Sequence, residues 1–335
     1  MRSLRRASVL VTALLVGLAG CSDGGGETGG DRSGEEVTVR AMNLPDDPSI
    51  AVLMYLPQSI TINRGTTVSW ALAGPEPHSV TFYPAGEVPP ATGSGQALFA
   101  PRPAAGGVHD PAALINSGLV PFGPAPPAPF RLRFDRAGSF RYYCVIHPQM
   151  IGTVDVVPRD VDADTQDEIT HRADRELRQW TAEGREAKRR LTSGPPVSAR
   201  NPDGTITWTV EAGITTGHID VLHFSPVTAD IRPGDSIRFV NSSQAPHTAT
   251  FGGGQPPPED PASPEATQPW PGPSPQVLNP TDRAGTGTLP PAGPAGSGLP
   301  VAARSFIFVV TESGEYPYVC VYHRGSGMGG MIRVA

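Results

Sequence analysis

The chain has 335 residues, which is enough for two domains with separate hydrophobic cores. Charged residues make up only 17%, whereas Gly and Pro number 39 each, and such a composition suits short strands joined by many turns. The formal net charge of −6 becomes −9 without the three arginines of residues 1–20. This acidic balance argues against nucleic acid as a partner and favours a protein with a basic face.

The N-terminus is typical of a lipoprotein signal peptide over residues 1–20. Three arginines precede an apolar run at residues 9–18, which is too short to span a bilayer comfortably. The run ends in Leu-Ala-Gly-Cys21, which resembles a bacterial lipobox, whose cysteine is lipidated and becomes the first mature residue. An ordinary secretory leader with a chance cysteine is the alternative. Residues 21–36 form a Gly-rich flexible tether, so we expect the protein at the extracytoplasmic face of the bacterial cytoplasmic membrane.

The first folded segment, residues 37–158, carries a pattern of potential metal ligands. His78 follows an alternating strand, and Cys144, His147 and Met150 share the tight loop Cys-Val-Ile-His-Pro-Gln-Met. Two imidazoles, one thiolate and one thioether are the ligand set of a blue-copper electron-transfer site.

Residues 159–200 predict a helical linker. Thr165 and Glu168 have the form of a capping box, apolar residues follow at helical spacing, and Gly194-Pro-Pro is a stop signal. We expect the apolar stripe to pack on one or both neighbouring domains. The charged face is expected to be solvated, and it carries Arg172, Arg175, Glu176, Glu183 and Lys188.

The second folded segment, residues 201–335, repeats the ligand pattern. His247 stands in the same Pro-His context as its counterpart in the first segment. Cys320, His323 and Met328 share the loop Cys-Val-Tyr-His-Arg-Gly-Ser-Gly-Met, which is two residues longer than the first. A recurring thioether at the matching place favours copper over zinc, although zinc also accepts His and Cys ligands.

Two insertions rich in Pro, Gly and Ala lie between the early histidine and the cysteine of each copy, at residues 84–129 and 252–300. Their composition predicts irregular loops. Both contain Ser-Gly-Leu, at residues 117–119 and 297–299, which suggests that part of the insertion is itself repeated.

Both segments resemble cupredoxins such as plastocyanin and amicyanin. Gly-Ser-Phe-Arg-Tyr-Tyr-Cys144 matches Gly-Glu-Tyr-Pro-Tyr-Val-Cys320, and Met150-Ile-Gly-Thr-Val matches Met328-Gly-Gly-Met-Ile. The resemblance implies an all-β fold with two Greek-key β-sandwiches, joined here by the amphipathic helical linker. It also implies two type 1 copper ions per chain.

The resemblance implies roles for the surroundings of the ligands as well. His147 and His323 would form the exposed edge through which electrons pass. Familiar cupredoxins often carry Asn after the early histidine, where it braces the cysteine loop, whereas Ser79 and Thr248 stand there in this chain. We expect one hydroxyl hydrogen bond at each site and weaker bracing.

The expected function is the transfer of single electrons between a redox protein donor and an acceptor that the sequence does not identify. A Cys144–Cys320 disulfide is the alternative to two metal sites in an exported protein, which meets oxidising conditions. Copper storage or delivery is another alternative, although no methionine cluster precedes either site. An enzyme such as a nitrite reductase-like or multicopper oxidase-like protein would need a further copper held by additional histidines, and we expect none. The remaining histidines are scattered along the chain: His109, His171, His218 and His223.

Overall fold

The fold is built mainly of β-strands, as the alternating segments of the sequence predict. The structure is a computed structural model that describes residues 35–87, 100–120, 128–147, 149–258, 263–292 and 301–335. The signal peptide and Cys21 lie outside the described residues. Within the described part of the chain, no helix is both long enough and apolar enough to cross a membrane.

The described residues of the first half form nine strands, several of which show the expected alternation of buried and partly exposed side chains. They are β1 (Glu36–Leu44), β2 (Asp47–Val52), β3 (Ser59–Asn63), β4 (Thr67–Ala73), β5 (Thr81–Phe82), β6 (Ile115–Asn116), β7 (Phe130–Arg133), β8 (Gly138–Tyr143) and β9 (Ile151–Val157). Helix α1 (Gln166–Ser193) follows.

The second half repeats this series and adds two strands and a short helix. Its elements are β10 (Val197–Arg200), β11 (Ile206–Thr216), β12 (Ile219–Ser225), β13 (Thr228–Ile231), β14 (Ser236–Ser242), β15 (Thr250–Gly252), α2 (Pro264–Thr267), β16 (Gln276–Leu278), β17 (Arg283–Gly285), β18 (Ser305–Val310), β19 (Gly314–Val319) and β20 (Gly329–Val334).

Each half is a sandwich with one sheet of its own and one part of a shared sheet. The separate sheets run β3-β9-β8-β5-β6 and β13-β20-β19-β15-β17, so their strand orders match position by position. The shared sheet has ten strands in the order β16-β18-β14-β11-β12-β2-β1-β4-β7, with β10 paired to β11. The aromatic cores of the two sandwiches are centred on Trp70 and Phe239.

The shared sheet is closed by one strand pair that joins the two halves. Strand β2 pairs antiparallel with β12, its counterpart in the repeat, and Ala51 lies opposite Asp220. Antiparallel pairing of equivalent strands is the arrangement that a two-fold axis produces. The halves therefore belong to one compact unit, Arg32–Ala335.

Helix α1 confirms the predicted linker and its capping box, in which Thr165 accepts from the backbone N–H of Glu168 while the glutamate side chain accepts from Thr165. Its apolar stripe packs over both sides of the seam between β2 and β12. At Gly184 the helix comes so close to the sheet that a Cβ would lie 2.5 Å from Cγ2 of Ile50.

The expectation that the charged face of α1 is solvated is wrong for four of its five residues. Arg172 binds Asp164 through both carboxylate oxygens, and Lys188 binds Asp47. The remaining two contacts are hydrogen bonds in which Glu176 accepts from Gln58 N and Glu183 accepts from Thr216 Oγ1. The helix is thus fastened to both sandwiches by polar contacts at the margins of its apolar stripe.

The prediction of irregular insertions is wrong for parts of both. Their described residues supply β6 and β17, which extend the two separate sheets, and β16, which lies at the edge of the shared sheet. Helix α2 also belongs to an insertion, and Ser263 caps it by accepting from Ala266 N.

Candidate metal centres

The strand order brings the first predicted ligand group together at one end of the first sandwich. His78 lies in the loop that joins β4 to β5, while Cys144 follows β8 and Met150 immediately precedes β9. The loop between β8 and β9 is tightened by hydrogen bonds from Cys144 N to Met150 O (3.1 Å) and from Met150 N to His147 O (2.9 Å). Adjacent pairing of β5, β8 and β9 therefore places all four side chains at the same end.

The second ligand group has the same construction. His247 lies between β14 and β15, and Cys320 follows β19. Here Cys320 N donates to Met328 O at 3.0 Å, and Met328 N donates to His323 O at 3.2 Å. The two additional residues of this loop are accommodated by a 3₁₀ turn, Arg324–Ser326.

In each group the donor atoms converge on one point. His78, Cys144 and His147 offer ligand atoms that lie within 4.8 Å of one another, and the same holds for His247, Cys320 and His323. These are the two such groups found among the described residues. All six side chains are buried.

The spacing of these donors fits a single bound ion. Two imidazole nitrogens bound at about 2.0 Å and near the tetrahedral angle lie about 3.3 Å apart, and a thiolate at about 2.3 Å lies about 3.5 Å from such a nitrogen. The Nδ1 atoms of His78 and His147 are 3.2 Å apart, and Cys144 Sγ is 3.4 Å from His147 Nδ1. In the second group the corresponding distances, for His247, His323 and Cys320, are 3.0 and 3.4 Å.

Met150 and Met328 are both buried, at 0% and 1% exposure, in the loops that carry the cysteines. Both cysteines are free, so the alternative of a Cys144–Cys320 disulfide is wrong. In both groups burial raises the pKa of the thiol, but the neighbouring histidines outweigh burial and hold the pKa of Cys144 and Cys320 well below its ordinary range. The neighbouring histidines thus favour the thiolate, which is the form that binds a metal.

The residues after the early histidines brace the cysteine loops by accepting a hydrogen bond. Ser79 Oγ accepts from Val145 N at 2.9 Å, and Thr248 Oγ1 accepts from Val321 N at the same distance. The sulfur instead receives the backbone N–H of Ser79 or Thr248, each at 3.4 Å. A hydroxyl therefore fixes the chain just after the cysteine, while the main chain supplies the hydrogen bond to sulfur.

A tyrosine two residues before each cysteine covers the same face of its sheet, as strand alternation predicts. Tyr142 and Tyr318 are buried beside the cysteines, whereas the intervening Tyr143 and Val319 are half-buried. Glycine is required on the neighbouring strand, because a Cβ at Gly152 would lie 2.2 Å from the ring of Tyr142. Gly330 is in the same relation to Tyr318, at 2.4 Å.

A strand from each insertion closes the histidine loop from the other side. Ser117 Oγ accepts from Val80 N at 2.8 Å, and Thr286 Oγ1 accepts from Ala249 N at 3.0 Å. Thr286 thus makes the contact in the second half that Ser117 makes in the first, and the predicted repeat of residues 117–119 at residues 297–299 stays a prediction. Those later residues lie outside the described part of the chain.

The expectation that His147 and His323 form an exposed edge is also wrong. Their side chains are 1% and 2% exposed, because the two sites face each other across the seam between the halves. A single buried carboxylate lies between them. Glu76 Oε1 is 3.0 Å from His147 Nε2, and Glu76 Oε2 is 3.0 Å from His323 Nε2.

Glu76 was not predicted from the sequence as a functional residue, although one feature of the sequence could have indicated it. The residue before Pro-His is Glu76 in the first copy and Ala245 in the second, so a charged residue breaks an otherwise matching motif. Burial raises the pKa of Glu76, but His323 and His147 outweigh it and hold the pKa well below its usual range. The two histidines thus favour the ionised form of the carboxyl group.

The other Nε2 atoms differ between the sites. His247 Nε2 is 2.7 Å from Ser243 Oγ, whereas His78 Nε2 is buried and makes no hydrogen bond to a described residue. With each Nε2 turned away, both imidazoles present Nδ1 to the metal position.

The remaining histidines do not assemble a third centre within the described residues. His109 lies among Phe82, Phe134 and Phe140, where burial lowers its pKa to about 4. His218 packs edge-on against Trp180. The other two stand apart from these contacts: His171 is exposed on the helix, and His223 is a half-buried residue of β12.

No protein-family model matches the sequence. Solved structures similar to part of the chain include an oxidised methionine-to-leucine mutant of amicyanin, at 20% identity and a TM-score of 0.23. That likeness covers 36% of this chain and 81% of amicyanin. A reduced tryptophan-to-tyrosine mutant of amicyanin gives 19% identity over 36% of this chain and 82% of its own, with the same TM-score of 0.23.

The fold is that of cupredoxin-like β-sandwiches, and it carries two His-Cys-His groups that fit a blue-copper site. Strand order, the loop that holds Cys, His and Met, and the donor spacing agree in both halves.

Proposed function

We propose that this protein carries single electrons through two type 1 copper sites at the extracytoplasmic face of the cytoplasmic membrane. The observation that carries the proposal is the convergence, twice in one chain, of two Nδ1 atoms and one thiolate beside a buried methionine. This donor set suits copper better than zinc because a thioether is a poor zinc ligand.

The proposed ligands have distinct roles. His78, Cys144 and His147 would hold the ion through two imidazoles and one thiolate, with Met150 as a weaker thioether ligand. In the second site His247, Cys320 and His323 would hold the ion in the same way, with Met328 as the thioether ligand. Bound copper would supply the one-electron change between Cu(I) and Cu(II). The buried loops would keep the ligands in place during that change.

The burial of the ligands favours electron transfer over copper delivery. Delivery requires that another protein's ligands reach the ion, yet the ligand side chains of both sites are at most 3% exposed. A catalytic role would require an additional copper with an open coordination position, and the described residues offer no third histidine-rich group for one. We therefore propose a carrier rather than an enzyme.

The place of the protein is proposed from the sequence. The lipobox-like segment ending in Cys21 supports an acyl anchor, and the acidic composition supports redox partners with basic faces. If the anchor is real, the full chain will fractionate with membranes, whereas a Cys21→Ala variant will not carry the lipid.

The function is tested first by titrating Cu(II) into the soluble chain that begins at residue 22 while recording its visible absorption. An intense thiolate-to-copper band that saturates at two coppers per chain is expected. Cys144→Ser and Cys320→Ser should each retain one band and one copper. A weak band, or saturation by zinc with no preference for copper, would overturn the proposal.

A further inference from the structure

Glu76 provides a direct connection between the two candidate copper sites. Its Oε1 and the Nε2 of His147 form a hydrogen bond of 3.0 Å. Its Oε2 approaches the Nε2 of His323 to the same distance, in a contact that is less well directed. The Nδ1 atom of each histidine belongs to the converging donor group of its own site. One carboxylate therefore links a ligand of one site to a ligand of the other.

The position of Glu76 is fixed from several sides. Its backbone N–H donates to Asn43 Oδ1 at 3.1 Å, and the side chain is 1% exposed. The neighbouring Pro75 packs against the second ligand loop so closely that a Cβ at Gly325 would lie 3.0 Å from Pro75 Cβ. The loop of the first half is therefore seated on the metal-binding loop of the second.

Only one of the two halves supplies this link. The position that matches Glu76 is Ala245, which is fully buried and carries no polar atom in its side chain. A second glutamate at the position of Ala245 would set another carboxylate against the same two histidines, where its charge would repel that of Glu76 at close range. One glutamate serving both sites avoids that repulsion and still gives both imidazoles a partner.

We infer that Glu76 is the positioning residue through which the two copper sites exchange an electron within one chain. The inference rests on the proposed function. It adds a feature that the sequence alone could not show, which is that His147 of one site and His323 of the other face each other inside the protein. With copper bound, one electron would leave the reduced site and reduce the oxidised one, so that Cu(I) and Cu(II) would change places. No covalent bond forms or breaks.

The physical reason is the continuity of the route. Electron tunnelling weakens steeply with distance and is carried better by bonds and hydrogen bonds than through gaps. Here the imidazole of His147, the carboxylate of Glu76 and the imidazole of His323 form a buried series with contacts of 3.0 Å, the first a hydrogen bond and the second an ion-pair contact. Any substitution that opens one of these contacts should slow exchange without removing a copper ligand.

The test uses the copper-loaded soluble chain, reduced by less than one electron per molecule in a pulse-radiolysis experiment. Samples frozen at increasing delays are read by electron paramagnetic resonance, and the Cys144→Ser and Cys320→Ser chains supply the reference spectrum of each single site. We expect electrons to redistribute between the sites at a rate independent of protein concentration. Glu76→Gln should slow this phase at least tenfold, because its amide group presents a donor to a histidine that also donates.

The matched control is Asp220→Asn, which changes another fully buried carboxylate at the same seam. Asp220 Oδ1 accepts from Thr215 Oγ1 at 3.1 Å, and its carboxylate acts on Glu76, His147 and His323 through charge alone, so this variant separates a change of buried charge from a break in the contact series. This variant should keep the wild-type rate within twofold. In the copper-free protein, nitrogen NMR should show altered Nε2–H signals of His147 and His323 in the glutamine variant only.

Two results would overturn the inference. One is an unchanged redistribution rate in a Glu76→Gln chain that still binds two coppers. The other needs no variant: a wild-type chain whose sites equilibrate only through collisions between molecules. Failure of the proposed function is a separate result, since a chain without two blue bands never reaches this experiment.

Discussion

The hydroxyl that braces the second cysteine loop allows a sharp test of how the site is held. Thr248→Val keeps the shape of the side chain but removes Oγ1, which accepts from Val321 N at 2.9 Å and from Thr250 Oγ1 at 3.1 Å. Thr248 is fully buried, so water is not expected to replace the lost acceptor.

The expected loss follows from the orphaned groups. A buried N–H left without a partner costs about 1–3 kcal/mol, so we expect the free energy of unfolding of the copper-free chain to fall by about 2 kcal/mol. For a compact unit of about 300 residues that corresponds to a decrease in Tm of roughly 3 °C. Because the hydrogen bond from Thr248 N to Cys320 Sγ is made by the main chain, the thiolate-to-copper band should persist.

The assay is urea unfolding followed by tryptophan fluorescence, together with copper titration of the folded variant. Thr311→Val is the control, since this exposed threonine donates to Asn279 and its loss should change stability by less than about 0.5 kcal/mol. Equal stabilities of the Thr248→Val and Thr311→Val chains would refute the bracing role of the hydroxyl.

Three further predictions concern the supporting structure. Burial lowers the pKa of His109 to about 4, so the unfolded chain takes up a proton first as the pH falls. The copper-free protein should lose up to about 3 kcal/mol between pH 6.5 and 4, and His109→Phe should remove that part of the slope in urea titrations at each pH. Tyr318→Phe should leave the free energy of unfolding unchanged or higher, because the buried hydroxyl of Tyr318 makes no hydrogen bond to a described residue. Tyr316→Phe should lower it by about 1 kcal/mol, because the hydroxyl of Tyr316 donates to the carbonyl of Glu312. Calorimetry of both variants can check this difference. Gly184→Val should lower the free energy of unfolding by about 2 kcal/mol, because the new side chain would clash with β2 although valine has the better helix propensity. Ala182→Val, on the exposed side of the helix, should cost only about 0.5 kcal/mol. Equal effects of the two substitutions would contradict the close approach of helix and sheet.

The candidate ligands were accessible from sequence because metal binding imposes local spacing. Cys320, His323 and Met328 must share one loop, and His247 must come before them, after a strand. The pattern can therefore be recognised from the order of residues in the sequence. Helix α1 was predictable for a similar reason, since Thr165, Glu168 and the apolar stripe are all local signals.

The relation between the halves could not be read in the same way. Pairing of β2 with β12 depends on two edges that lie far apart in the chain, and no periodicity marks which edge meets which. The burial of His147 and His323 follows from that pairing, so it was missed too. Strands of two or three residues, such as β6 and β16, were hidden by the Pro- and Gly-rich composition around them.

The seam between β2 and β12 also bears on how this protein stays soluble. Each of these strands would be the open border of a sheet if its half stood alone, with unpaired N–H and C=O groups ready to bind another chain. In the full protein β2 and β12 pair with each other, so neither edge is open, and α1 lies across the seam between them. A half expressed by itself should therefore self-associate through this border, and duplication within one chain provides the cap that a separate small sandwich would have to find in another molecule.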